Sequence, residues 1–445
     1  MFILRDLFRP LQAHFSDTAL GRERASLFVY TLLSIIVPFT SSMSSNLLRA
    51  LETLFGMEIK KKRFYTFMAS STLPWPKLWP TVWRLIPSPL TDDRLLLALD
   101  DFINPKVGKH IFGCESIFDH AAKANQSRYP WAQNIVSVGL LKQVKGRWAC
   151  LFLGFRFYLA QKTITAHRDN AKINGHVVPF QTKLAQAGDL LITIAGHFAA
   201  APMLAIMDSW FGNESLWKPV RRELGERFQM LSRLRSNQVL YAPPQAAGKG
   251  QRGRRCKYGL RLGTASEMAQ AGQHQAITYT VKLYGKQRAV LAYDQIVMLK
   301  TLKCPVRVVW VFRKSQWLAL FTTDLGLSVT QIIDYYGARW KIEAGFKELK
   351  QEIGSQKSQC RNAHAVINHL HFCMMATTIT WLYADHIKAD PERRHKVKGR
   401  TSFAFSDVRR LIADAALSED FARVCPKPTN TPYNSIVAVL LRMVA

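Results

Sequence analysis

Acidic residues are scarce in this chain. Asp and Glu number 31 against 61 Lys and Arg, leaving a formal net charge of +30 and an isoelectric point near 10.1. A surplus of positive charge of that size favours a polyanion partner. Cysteine is also sparse and unpatterned, at 114, 150, 256, 304, 360, 373 and 425 with no Cys-x-x-Cys pair. This excludes a disulfide framework and points to a reducing compartment. The histidines show no His-Glu-x-x-His spacing, so a zinc site is not expected. The first residues lack a basic segment followed by an apolar one and a small-residue cleavage site, so the cytoplasm is the expected location.

Long apolar runs are missing as well. Residues 190–207 and 25–48 are uncharged, but Gly196, His197 and Pro202 interrupt the first, and Ser, Thr and Pro38 interrupt the second. A span needs roughly 20 predominantly apolar residues, so both read as buried segments and a membrane transporter is a distant alternative. The 48% hydrophobic content excludes a disordered basic tail. At 445 residues the chain should divide into two or three structural units.

The pattern over residues 1–90 is helical. Ser44 or Ser45 is placed to cap a helix carrying Leu47, Leu48, Leu51, Leu54 and Phe55, and the basic run Lys60 to Arg63 follows. Leu95-Leu-Leu-Ala-Leu-Asp-Asp101 then reads as a buried strand ending in two acids. Two further strands are expected at 134–141 and 148–158, joined by a Lys145-Gly146-Arg147 turn. A helix is expected at about 179–199, then the strand Met203-Leu-Ala-Ile-Met-Asp208, a helix, and a strand from Arg227. This is a mixed α/β core.

Residues 242–261 break that regularity. Lys249, Arg252, Arg254, Arg255, Lys257 and Arg261 fall within 13 residues containing no acid, which reads as a loop or arm. Gly248-Lys-Gly-Gln-Arg-Gly253 imitates a dinucleotide fingerprint, but Pro243 and Pro244 stand where that motif needs a strand. Alternation from 277 to 322 predicts a small β-rich unit, and Ser328 with Gln331 forms a candidate capping box.

The most specific segment is Tyr335-Tyr-Gly-Ala-Arg-Trp-Lys-Ile-Glu-Ala-Gly-Phe-Lys-Glu-Leu-Lys350. At about 100° per residue, Tyr336, Arg339, Glu343 and Lys350 share a stripe roughly 60° wide. Ile342, Phe346, Leu349 and Ile353 border it and would face a core. An amphipathic helix with Arg–Glu support is the simpler account from geometry alone.

The spacing Tyr336, Arg339, Glu343, Lys350 resembles the Tyr-Arg-Glu-Lys signature of one branch of bacterial insertion-sequence transposases with an Asp-Asp-Glu active site. Leu99-Asp-Asp, Pro105-Lys-Val-Gly-Lys109, Asp208-Ser-Trp-Phe-Gly212 and Arg233-Leu-Arg-Ser-Asn237 agree in the right order, and the likeness spans roughly residues 95–385. It implies a ribonuclease-H-like α/β fold, a mixed sheet with flanking helices and a β-rich insertion before the Glu-bearing helix. The corresponding units are a helical DNA-binding region (1–90), the core (91–240 and 326–385), the arm and insertion (241–325) and a basic C-terminal region (386–445).

That resemblance implies Asp100 or Asp101, with Asp208 and Glu343, as catalytic acids. The family often reads Asp-x-Thr at the first acid, and this phasing favours Asp100 as a metal ligand with Asp208 and Glu343, although Phe102 stands where Thr is usual. Two Mg²⁺, or Mn²⁺ in their place, would serve phosphodiester cleavage and strand transfer. Tyr336, Arg339, Lys350, Trp340, Trp210, Lys249, Arg252, Arg254, Arg255 and Lys257 are the expected DNA contacts. The expected partners are duplex DNA of the element ends and target, and a second copy of the chain during synapsis. A DNA-binding repressor on a decayed catalytic fold is the rival reading.

Overall fold

The computed structural model describes residues 3–119, 122, 124–244, 256–283, 285–314, 316–395 and 402–418. Five helices come first: α1 (Ile3–Gln12), α2 (Ala19–Ile36), α3 (Ser44–Phe55), α4 (Lys61–Met68) and α5 (Trp75–Arg84). Most of the uncharged 25–48 stretch lies in α2 and α3. Helix α2 is buried on nearly every side, which is why it can be apolar all round. Within it the Ser34 hydroxyl donates to the Tyr30 carbonyl at 2.8 Å, so no water is needed to satisfy it. No helix among the described residues is long and apolar enough to cross a membrane. Neither serine caps α3 through its side chain. Met43 holds the cap position without a side-chain bond, because Ser44 begins the helix and its hydroxyl lies 3.1 Å from Cys360 Sγ.

The core opens with β1 (Leu95–Pro105), β2 (Cys114–Ser116), β3 (Trp131–Val144) and β4 (Arg147–Tyr158). The β3–β4 hairpin turns at Lys145 and Gly146, both at positive φ (50° and 71°), as a two-residue hairpin loop requires. After α6 (Gln161–Thr165) and the short hairpin β5 (Lys172–Ile173) and β6 (His176–Val177) come α7 (Lys183–His197), β7 (Met203–Met207), α8 (Glu214–Leu224) and β8 (Phe228–Arg233). Strands run in the order β4-β3-β1-β7-β8, antiparallel from β4 to β1 and parallel from β1 to β8. This is the ribonuclease-H-like arrangement. Leu95 to Leu99 are fully buried, as expected of a central strand covered on both faces.

The β-rich segment contains β9 (Val239–Tyr241), β10 (Arg261–Thr264), α9 (Ala265–Gly272), β11 (Ile277–Leu283), β12 (Lys286–Leu299), β13 (Cys304–Arg313) and β14 (Gln316–Thr322). Its strands do not stand apart from the core. Strand β14 pairs antiparallel with β8 (Leu320 opposite Arg233, Thr322 opposite Leu231), making one sheet of twelve strands. The chain then returns through α10 (Val329–Ala338), α11 (Trp340–Lys347), α12 (Ala363–His386) and α13 (Phe405–Ala416). The capping box forms: Gln331 N–H donates to Ser328 Oγ at 3.2 Å and Ser328 N–H to Gln331 Oε1 at 3.1 Å.

The signature segment is not the single regular helix expected from its sequence. It breaks at Arg339, between α10 and α11, and passes into a π-helical turn at Glu348–Glu352, where Ile353 N–H donates to Glu348 O at 2.9 Å. The wider turn invalidates the 100° step beyond residue 347. The apolar stripe nevertheless faces inward, with Ile342, Phe346, Leu349 and Ile353 all buried.

Candidate active site

Adjacent residues of a strand point to opposite faces of the sheet, and this separates the two acids at the end of the apolar run in β1. Asp100 faces α11, where its Oδ2 accepts from Arg339 Nη1 at 2.9 Å. Asp101 faces α7, where its Oδ2 accepts from Lys183 Nζ at 2.8 Å. The other end of the Arg339 guanidinium donates to Glu343 Oε1, also at 2.9 Å. One cation thus joins a strand carboxylate to a helix carboxylate 243 positions later in the chain.

Asp208 arrives by sheet register. Met207, the last residue of β7, pairs with Leu99 in parallel, so Asp208 follows at the same level as Asp100. A tight turn fixes it: Asp208 Oδ1 accepts the N–H groups of Trp210 (3.0 Å) and Phe211 (3.1 Å), and its carbonyl accepts the Ser232 hydroxyl at 2.7 Å. Gly212 closes this turn, and a Cβ there would fall 2.3 Å from Ser232 Oγ, so no larger residue fits.

Like charges crowd the site. Burial raises the Asp100 carboxyl to about 7, against the pull of Arg339, and the charges of Asp208 and Asp101 push in the same direction as burial. The Tyr336 phenol is raised by burial and lowered by Arg339 and Arg233. The Arg339 guanidinium carbon lies 5.7 Å from the Tyr336 ring and 5.6 Å from the Trp340 ring. Beneath the acids, Phe346 of α11 packs on Phe102 of β1 (4.4 Å between centroids) and on Phe152 of β4 (5.8 Å). Lys350 joins the same wall, with Nζ 6.0 Å from the Phe102 ring, and burial lowers its pKa.

Of the expected DNA contacts, Trp210 and Trp340 are 43% and 50% exposed, so both present ring surface to solvent. Trp310, by contrast, is core. Arg339 is buried against the acids rather than solvent-facing. Lys257 is exposed, while Lys249, Arg252, Arg254 and Arg255 lie outside the described residues. Lys183 was not legible in the sequence. Besides holding Asp101, it lies 5.2 Å from the Tyr158 ring and 5.6 Å from that of Trp210, and only the facing of Asp101 across β1 brings it there. Among the described residues no three His, Cys, Asp or Glu side chains converge closely enough to hold one ion.

Residues 20–297 match the family model described as DDE superfamily endonuclease, which is more than half of the chain. The chain belongs to that family. The match takes in Asp100, Asp101, Lys183 and Asp208, while Glu343 lies beyond its end. DDE-type endonucleases act on DNA and generally use divalent metal ions. No curated protein matches the chain.

Proposed function

We propose that the protein is the transposase of a bacterial insertion sequence, binding terminal inverted repeats, cutting DNA and joining the freed 3′-hydroxyls to a target. The observation that carries this reading is the meeting of Asp100, from β1, with Glu343, from α11, on one guanidinium, beside Asp208 at the end of the neighbouring strand. The donor set fits a hard divalent cation. It consists of three carboxylates, hard oxygen donors of the kind such an ion takes. Asp100, Asp208 and Glu343 would hold two Mg²⁺, with Mn²⁺ as a substitute. When bound, such ions supply charge to the phosphate oxygens and favour attack by water or a 3′-hydroxyl.

The chain's own residues bind and orient the DNA. Tyr336, Arg339 and Lys350 flank Glu343 and contact phosphates, while the exposed rings of Trp210 and Trp340 offer stacking faces for bases at a DNA end. Lys249, Arg252, Arg254, Arg255 and Lys257 add non-specific phosphate attraction. Synapsis of two ends requires a dimer at that stage, and the site of action is the cytoplasmic nucleoid.

The test is Mg²⁺-dependent nicking and strand transfer on a duplex carrying the inverted repeats that flank the gene. Asp208→Asn and Glu343→Gln should bind it normally and cut it at least about 10³-fold more slowly, each tenfold being about 1.4 kcal/mol of barrier. Robust cleavage by Glu343→Gln refutes the assignment. A second reading, a nuclease-impaired DNA-binding repressor, is favoured by Phe102, whose buried ring occupies the position where the family often carries Thr. Binding without nicking by the unmodified protein would decide for it.

A further inference from the structure

Arg339 combines features that an ordinary helix-surface arginine lacks. It stands where α10 ends and α11 begins, only 6% exposed. Its guanidinium donates at 2.9 Å to both Asp100 Oδ2 and Glu343 Oε1, while its Nε is buried without a partner. A desolvated guanidinium with an unused donor is costly unless the charges around it compensate. Here the compensation comes from the acids expected to hold metal.

We propose that Arg339 is the resident counter-ion of the acid site, holding in DNA-free protein the place that divalent cations take in loaded protein. This rests on reading Asp100, Asp208 and Glu343 as the metal-holding acids. Two geometrical points carry it. Asp100 Oδ2 and Glu343 Oε1 are each bound at 2.9 Å by the same guanidinium, through Nη1 and Nη2, so the arginine stands between the two carboxylates. With Arg339 in place, no three His, Cys, Asp or Glu side chains group as a metal-holding cluster among the described residues. The guanidinium occupies both carboxylates, so seating an ion against the pair requires Arg339 to release at least one of them.

The released guanidinium has a destination. Trp340 is half exposed and its ring lies 5.6 Å from the guanidinium carbon, so a short outward swing keeps a cation–π contact while bringing the fork to the surface. A phosphodiester there accepts guanidinium well. DNA docking and metal loading are therefore coupled through one side chain, and the coupling is reciprocal. Arg339 is a positioning residue: it keeps two like charges together until substrate takes it away.

The test is Mn²⁺ titration of DNA-free protein, by calorimetry or by the paramagnetic signal of free Mn²⁺, alongside thermal unfolding with and without Mn²⁺. Arg339→Ala should bind Mn²⁺ at least tenfold more tightly than the unmodified protein. It should unfold at lower temperature in EDTA and gain more from added Mn²⁺. A merely structural arginine predicts equal or weaker Mn²⁺ binding in folded Arg339→Ala, and that result overturns the proposal. Arg339→Lys, which keeps the charge but loses the fork, should be intermediate. If Arg339→Ala does not fold, the lysine variant decides by the same criterion.

In the unmodified protein, duplex DNA should tighten Mn²⁺ binding, and in Arg339→Ala it should not. Asp208→Asn is the control. If it binds Mn²⁺ as well as the unmodified protein, the acid-site reading falls and the Arg339 proposal with it. If it loses Mn²⁺ while Arg339→Ala gains nothing, only the Arg339 proposal falls.

Discussion

Phe346→Ala removes the ring that couples the two halves of the candidate site. Phe346 is 6% exposed and contacts Phe102 and Phe152. It lies three residues after Glu343, and Phe102 lies two residues after Asp100 on the same face of β1. Truncating a buried phenylalanine costs about 3–5 kcal/mol, including part of the two ring pairs. Unfolding entropy of about 2.1 cal/mol/K per residue gives roughly 0.9 kcal/mol/K for 445 residues. The midpoint should therefore fall by about 3–5 °C in calorimetry if the chain unfolds as one unit. The control is Phe55→Ala in α3, 1% exposed and 5.0 Å from the Tyr30 ring. Both variants should lose similar stability, but only Phe346→Ala should also lose Mn²⁺ affinity and specific cleavage activity, because it frees α11 to shift against β1. Equal functional loss in both variants, or none in Phe346→Ala, refutes the idea that this ring sets the spacing of Asp100 and Glu343.

Two other outcomes are expected. His369 is 2% exposed with Nε2 donating to Ser42 O at 2.6 Å, and burial, aided by Lys106, lowers its pKa to about 3. Its folded pKa lies below the unfolded value, so its contribution is complete above about pH 6.5 and lost as pH falls, about 2 kcal/mol by pH 5. His371, stacked on Trp75 at 4.5 Å and also lowered to about 3, acts in the same sense. Denaturant titrations at pH 7 and pH 5 should show this loss, and His369→Gln should flatten it; an unchanged slope would mean that the imidazole is not the titrating group. Asp101→Asn should retain cleavage within about tenfold, since its partner is Lys183 on the face away from Glu343, whereas Asp100→Asn should match Asp208→Asn. Initial nicking rates distinguish the two, and equally inactive variants would place both acids in the machinery.

What could be read from sequence was whatever local chemistry dictates. The buried run that reaches Asp100 and Asp101 (though its strand continues to Pro105 instead of ending at the acids), the strand ending before Asp208, the Lys145-Gly146 turn and the Ser328–Gln331 capping box each need only their own few residues. The order of strands and helices, with the resemblance, therefore pointed to the ribonuclease-H-like core. What could not be read depends on partners far along the chain. Arg339 looks solvent-facing on a regular helix, and only the arrival of Asp100 from 239 positions away buries it. Lys183 carries no local signal, because its role comes from the facing of Asp101. The π-turn after Lys347 was invisible too, since Leu349 and Ile353 keep the inward spacing of a regular helix. The pairing of β14 with β8 was equally invisible, since an alternating strand does not name its neighbour.

That last pairing governs how the chain is made. Strand β8 leaves the ribosome long before Leu320, Phe321 and Thr322 exist to cover its free side. With synthesis at about 5–20 residues per second, the interval from Arg233 to Thr322 lasts roughly 4–18 s, and Arg339 follows later still. Through that interval the nascent core ends in an open parallel edge flanked by fully buried-type residues such as Met230 and Leu231, a surface on which another unfinished copy can add a strand. Ribosomes translating one message in file hold such copies side by side. Covering that edge is thus a task of synthesis that the finished sheet no longer displays.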